Sequence, residues 1–401
     1  MRNRRILLAT LLALVVGCSG APTKPDLARP LATPAAPGSG EPNLTVGADG
    51  RLYLSWIESA DEGHALRFAT WKGQAWSAAR TIATGDDWFV NWADFPSLDA
   101  TAGGTLAAHW LQRSGSSTYA YDVRLSVSRD DGESWIEPFS PHDDGTQTEH
   151  GFVSIVPLAG DRFEILWLDG RETAVDAKGI PLGTGVMTLR SATLDADGHV
   201  GETRLIDKRV CDCCSTDAVP VAETVLAVFR DRSEGDIRDI STATLDPGGW
   251  TPVRPLHDDG WKISACPVNG PALAVSGDQV AAAWFTAPLQ KGTVNVAFSA
   301  DGGKTFGDPW RVDAGKPVGR VDVVMLDDGT AVVSWLEQGA IRLRWVDESG
   351  PRSEPLVAAT ADESKAGGFP RLARLRDELF LAWTEPGEVS RVRTATVPAI
   401  R

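Results

Sequence analysis

A short apolar segment that ends in an aromatic residue and then turns polar recurs seven times: LYLSWIES, LAAHWLQR, FEILWLDG, VLAVFRDR, VAAAWFTA, AVVSWLEQ and LFLAWTEP. The aromatic positions are Trp56, Trp110, Trp167, Phe229, Trp284, Trp335 and Trp383, a period of 48 to 62 residues. Each segment follows a strand-like stretch and a turn, as in VDVVMLDDGTAVVSW, and precedes an alternating one such as DVRLSVS or VNVAFS. Asp-Gly and Gly-Asp turns punctuate the region, and no long helical periodicity crosses it. Repeats of about fifty residues with up to four short strands each define the blades of a β-propeller. Seven copies predict an all-β, seven-bladed ring of four-stranded antiparallel blades; a six-bladed ring with one degenerate repeat is the alternative. The propeller is expected over residues 43–399.

Two further segments share the pattern S-x-D-x-G-x-[ST]-aromatic. One runs from Ser128 through Asp130, Gly132 and Ser134 to Trp135, the other from Ser299 through Asp301, Gly303 and Thr305 to Phe306. They resemble the Asp-box, or bacterial neuraminidase repeat, of sialidase-like propellers. The spacing has a physical logic: Ser and Asp bond nearby amides in a tight turn, Gly makes the turn, and the ring packs back into the blade. The resemblance places these boxes between third and fourth strands, opposite the family's usual active site. Ser128, Asp130, Gly132, Trp135, Ser299, Asp301, Gly303 and Phe306 are therefore read as structural.

The N-terminus predicts export. MRNRR is positively charged, ILLATLLALVV is an apolar run of eleven residues, and Gly17-Cys18 follows. The run is too short to span a bilayer. Val15 to Cys18 resembles the lipobox of bacterial lipoproteins, which implies a signal peptide over 1–17 and a lipid on Cys18. Ser19 and Gly20, with no Asp after the cysteine, imply the outer membrane, facing the periplasm. Residues 18–42, with six prolines between Ser19 and Pro42, are expected to form a linker. Loss of Arg2, Arg4 and Arg5 with the signal leaves 36 basic against 54 acidic side chains, a net charge of −18. So acidic a chain disfavours nucleic acid, and its contact with membrane should be through the lipid alone, as a monomer.

In a propeller, the loops before each first strand and after each second strand converge around the channel, where ligands bind. Those loops carry Asp94, His150, Asp217, Asn269, Asp322, Asp169 and the arginines Arg171, Arg230, Arg320 and Arg371. By the sialidase resemblance, arginines among Arg171, Arg230, Arg320 and Arg371 would clamp a substrate carboxylate, with Asp94 or Asp169 as acid. The family's late-blade tyrosine nucleophile has no counterpart, because Tyr53, Tyr119 and Tyr121 all fall in the first two blades, and its Arg-Ile-Pro motif is missing. The expectation is therefore a module that binds a ligand on the channel face, a glycan or small molecule or one linked to a metal, or that serves in assembly, with a sialidase-type hydrolase as the alternative. Trp88, Trp92 and Trp261 are the loop indoles that could stack on a sugar or cover the mouth.

The same face carries Cys211, Cys213 and Cys214 in RVCDCCSTD, and Cys266 in ISACPVNG. Three chemistries are open to them: two disulfides, a Cu or Zn site, or a redox pair. A Cys213–Cys214 bridge is disfavoured because adjacent Cα atoms lie too close. A bridge to Cys266 would join neighbouring blades.

Overall fold

The computed structural model describes residues 28–175 and 181–399. The signal peptide and Cys18 lie outside the described residues. Seven antiparallel sheets form the seven blades, and a two-stranded hairpin, Thr173–Val175 with Pro181–Gly185, stands apart from them. First strands run Ser39–Val46, Ser97–Ala100, His150–Leu158, Asp217–Val221, Ala272–Ser276, Pro317–Met325 and Arg371–Leu375, and these define blades one to seven. Blade two has three regular strands, its fourth place reduced to a Leu125–Phe139 bridge. Blades four and six have outer edges in two pieces, such as Gly350–Pro351 and Leu356–Thr360.

Second strands are nearly continuous apolar runs because both of their faces are covered by neighbouring blades. Ala331–Glu337 is buried at every residue, and Leu52–Ser59 at all but the last. The seven repeat aromatics occupy matching places, each paired across to the third strand: Trp56 with Arg67, Trp110 with Arg124, Trp167 with Arg190, Phe229 with Ser241, Trp284 with Asn295, Trp335 with Arg342, Trp383 with Arg393. Between blades five and six, Ala283, Phe285 and Val296 pack against Val321, Val333 and Trp335, so the apolar core is distributed between blades.

One expectation is corrected in its described part. Within the predicted linker, Arg29–Leu31 pairs antiparallel with Arg391–Pro398 and becomes the outer strand of blade seven. The strand from the N-terminus thus completes the last blade and closes the ring. Three residues including a proline carry no strand periodicity, and an edge strand is where proline is tolerated.

The two serine-aspartate turns have one geometry. Ser128 Oγ donates to Asp130 Oδ1 (2.8 Å) and accepts from Gly132 N (2.9 Å), while Ser134 N and Oγ donate to Asp130 at 2.9 and 2.6 Å. Ser299, Asp301, Gly303 and Thr305 repeat this at 2.7, 2.9, 2.9 and 2.6 Å. Bonds from Ser134 and Thr305 lower both aspartates to about 2. Gly132 and Gly303 have positive φ (82° and 81°), and a Cβ on them would collide with Phe68 and Leu226. Trp135 packs edge-on against Phe68, and Phe306 against the core of blades four and five. Both turns lie between third and fourth strands, away from the loops that surround the channel mouth.

Candidate functional site

The seven first strands enclose a channel cavity of about 500 Å³. Polar side chains knit its mouth by bonding from one blade to the backbone of the next. Asp94 Oδ1 accepts from Phe152 N (2.8 Å), Asp217 Oδ2 from Leu273 N (2.7 Å), Asn269 Oδ1 from Arg320 N (2.6 Å), and Asp322 Oδ2 from Leu372 N (2.9 Å). Blades three and four are joined by Ser154 Oγ and Thr216 Oγ1, 2.8 Å apart. A buried amide left unpaired is costly, so these acceptors have a structural job before any ligand arrives.

The sequence-predicted arginines do not converge. Arg230 is fully buried and donates to three backbone carbonyls, of Asn269 (2.8 Å), Arg238 (2.5 Å) and Phe285 (2.6 Å), with Trp261 beneath it at 4.8 Å. Burial lowers its pKa to about 9. Arg320 likewise holds the carbonyls of Ser364 (2.9 Å), Gly368 (2.6 Å) and Glu363 (3.0 Å), and burial lowers it to about 10. Arg171 forks onto Asp169 through two bonds of 2.7 Å. Arg371 alone of the four lines the channel, ion-paired to Asp322 at 3.3 Å, set over the Phe95 ring, its Nε making no aligned hydrogen bond.

Asp169 belongs to a repeated device. Its Oδ2 accepts from the Trp167 indole at 2.7 Å, as Glu58 does from Trp56 (2.9 Å) and Glu337 from Trp335 (2.8 Å). The arginine opposite each tryptophan approaches the same carboxylate: Arg67 to Glu58 at 2.8 Å, Arg190 to Asp169 at 3.9 Å, Arg342 to Glu337 at 3.8 Å. In blade five Thr286 stands where the acid would be, and Asp259 reaches the Trp284 indole instead, at 2.7 Å.

Blade three gathers further charge around Asp169. The His142 and His150 rings stack at 4.0 Å, and Asp144 lies 3.2 Å from His150 Nε2 and 3.3 Å from Arg171 Nη2. Burial opposes a charge on His150, but Asp144, Asp169 and Asp122 outweigh it and raise its pKa. Burial also opposes the charge on Asp169, but Arg171, His150 and the Trp167 indole hold its pKa down. The ligand atoms of Asp144, His150 and Asp169 are close enough together for a cation. Arg171 already supplies positive charge to both carboxylates, so the cluster is internally balanced.

Asp94 sits in a second buried group that the sequence reading did not assemble. The Tyr121 hydroxyl is 2.6 Å from Glu149 and 3.2 Å from Asp94. Burial raises Asp94 to about 7 and Glu149 to about 8, and burial with these two acids drives Tyr121 well above its ordinary value. Tyr121 is 1 % exposed and stacks on Phe89 at 4.1 Å. A buried neutral phenol between two acids that resist ionisation is not an activated nucleophile. Glu149 carried no signal beyond its place beside His150.

Of three aromatic residues grouped near the channel, Phe95 and Phe369 line it and Trp92 packs on Phe369. Trp92, before blade two, stacks on Phe369, before blade seven, at 5.9 Å, and Phe95 lies 5.7 Å from Phe369. Arg320 lies over the Trp92 ring at 4.8 Å. Trp88 and Trp261 are instead buried, against Trp110 and Phe285.

The four cysteines form two disulfides, Cys211–Cys214 and Cys213–Cys266, with Cα separations of 5.7 and 6.1 Å. The second joins blades four and five, and no Cys213–Cys214 bridge forms. Sulfurs held in disulfides are not the thiolates that Cu or Zn would need. Ser215 and Thr216, directly after Cys214, line the channel.

No protein-family model and no curated protein matches the sequence. Solved structures do match in fold. An α-L-arabinanase of Penicillium chrysogenum, complexed with arabinobiose, is 13 % identical with a TM-score of 0.52, covering 93 % of this chain and 98 % of its own. The GH93 α-L-arabinofuranosidase of Fusarium graminearum with arabinobiose is 14 % identical with a TM-score of 0.51, covering 93 % and 97 %. The polysaccharide lyase Uly1 is 8 % identical with a TM-score of 0.55, covering 90 % of each chain. At such identities the likeness is one of fold.

Proposed function

We propose that this protein is a lipid-anchored propeller of the cell envelope that binds a glycan at its channel mouth without hydrolysing it. The observation that carries this reading is the mouth itself: Arg371 with Asp217 and Asp322, the hydroxyls of Ser154 and Thr216, and the apolar lining of Phe95 and Phe369, whose ring faces are engaged by Arg371 and Trp92. Charged and hydroxyl groups suit sugar hydroxyls or a carboxylate, and an apolar lining suits the C–H side of a sugar ring. Carbohydrate as the ligand class also draws on the arabinobiose complexes of propellers with the same fold.

Sialidase chemistry is disfavoured by other residues, outside the channel lining. Two of the four expected clamp arginines are committed to backbone carbonyls, and Tyr121 is buried and neutral. A hydrolytic reading would rest on Asp217, a channel carboxyl that burial raises to about 6, acting with Asp322. Anchorage through Cys18 at the outer membrane completes the proposal and rests on the lipobox resemblance. The test is to screen the purified protein against an array of sialylated, uronate-containing and arabinose-containing oligosaccharides, and to analyse the same glycans by mass spectrometry after incubation. Binding with unchanged chain lengths is expected; shortened products that disappear with Asp217→Asn would establish the hydrolase instead.

A further inference from the structure

The cysteine cluster has an arrangement that stapling two blades does not require. One bridge, Cys213–Cys266, links residues 53 apart and spans blades four and five. The other joins residues only three apart, where the loop closed is so short that a crosslink constrains the unfolded chain least. Yet the two bridges abut: Cys211 Sγ lies 4.0 Å from Cys213 Sγ. Their exposure is graded. Cys266 is exposed, Cys213 is half-buried, and Cys211 and Cys214 are buried. Arg238 Nη1 donates to Cys211 Sγ at 3.4 Å, so the buried bridge sulfur nearest to Cys213 is held beside a guanidinium. Asp212 also lies 4.0 Å from Arg238, but it is engaged by Arg232 at 2.9 Å.

We propose that the four cysteines are a thiol–disulfide exchange relay that accepts electrons from a partner dithiol at Cys266 and passes them to the buried Cys211–Cys214 bridge. The relay is independent of glycan binding. In the first step a partner thiolate bonds to Cys266 Sγ, and Cys213 leaves as a thiolate. Cys213 then attacks Cys211 Sγ, forming a Cys211–Cys213 bridge and releasing Cys214, which takes up a proton. The partner's second thiolate attacks its own sulfur in the mixed disulfide and releases Cys266, which is protonated in turn. The partner dithiol is oxidised to a disulfide by two electrons, and the protein retains one bridge with Cys214 and Cys266 reduced.

Two measurements test this. Cys266→Ser leaves Cys213 as a free thiol beside Cys211. After incubation at pH 8, acid quenching, alkylation and fragmentation mass spectrometry, a Cys211–Cys213 bridge with alkylated Cys214 is expected in a tenth of the molecules or more. An intact Cys211–Cys214 bridge with alkylated Cys213 throughout would overturn the relay. Because the variant could fold poorly, the unaltered protein is also treated with one equivalent of dithiothreitol. Oxidised dithiothreitol together with joint alkylation of Cys214 and Cys266 is the expected result. Alkylation of Cys213 and Cys266 alone, or no reduction at all, would mean that the bridges are only structural.

Discussion

The Trp167 indole donates to Asp169 Oδ2 at 2.7 Å, and this bond makes an aspartate that sequence alone suggests as a catalytic acid into the partner of the blade's central aromatic residue. Asp169 is 0 % exposed, and Arg171 donates to both of its oxygens. Asp169→Asn can keep an acceptor for the indole but removes one of the two carboxylates that face Arg171 and His150, leaving Asp144 alone with them. Breaking a buried pair from one side costs about 3–5 kcal/mol, and with Asp144 still in place chemical denaturation should read a loss below that, of about 1–3 kcal/mol. A catalytic acid dispensable to the fold would leave stability unchanged.

A second expectation concerns turnover. A fluorogenic sialoside should be released no faster than in buffer, because Tyr121 is buried and Arg230 and Arg320 are committed to the backbone. Turnover that survives Tyr121→Phe but is abolished by Asp94→Asn would show that a carboxylate mechanism operates at the blade two to three boundary.

The buried acids give stability a defined pH dependence. Asp94 and Glu149 are raised in the folded protein to about 7 and about 8, above their unfolded values near 4. The folded state therefore binds more protons than the unfolded state between about pH 4 and pH 8. Their stabilising contribution is present below about pH 4 and is lost as pH rises through the folded values. His150, also raised, acts in the same direction. Melting temperature compared at pH 5 and pH 8 should fall at the higher pH, and Glu149→Gln should reduce that fall. An unchanged pH profile in Glu149→Gln would place the ionisation elsewhere.

Much of this fold was legible because one strand type had to be apolar on both faces and end in a large ring. That demand repeats at Trp56, Trp110, Trp167, Phe229, Trp284, Trp335 and Trp383, and period is a property that a sequence displays directly. The closing strand Arg29–Leu31 was not legible, since its pairing depends on Arg391–Pro398 at the far end of the chain. That Cys266 meets the cluster of Cys211, Cys213 and Cys214 was readable once the blade register placed both loops on one face, but not that Cys213 is the one it bonds. The roles of Arg230 and Arg320 were not, because a guanidinium bound to carbonyls has no partner that charge patterning can reveal. Tyr121, Glu149 and Asp94 come from three separate loops and strands, and only the folded ring brings them together.

Anchorage is tested at Cys18. Cys18→Ala is expected to abolish incorporation of labelled fatty acid and to release the protein from the membrane or leave it unprocessed. Label retained in that variant would contradict the lipoprotein reading.

Glycan binding at the mouth is tested most directly by titrating the strongest array ligand into the unaltered protein and into Arg371→Gln, with melting curves to establish that both are folded. Arg371 is the channel-lining arginine of the expected four, and a charge-assisted hydrogen bond contributes about 1.5–3 kcal/mol. Glycan binding at the mouth predicts affinity lower by roughly tenfold to a hundredfold in Arg371→Gln. Equal affinity in the two proteins, with both folded, would contradict it and move the ligand off the channel mouth.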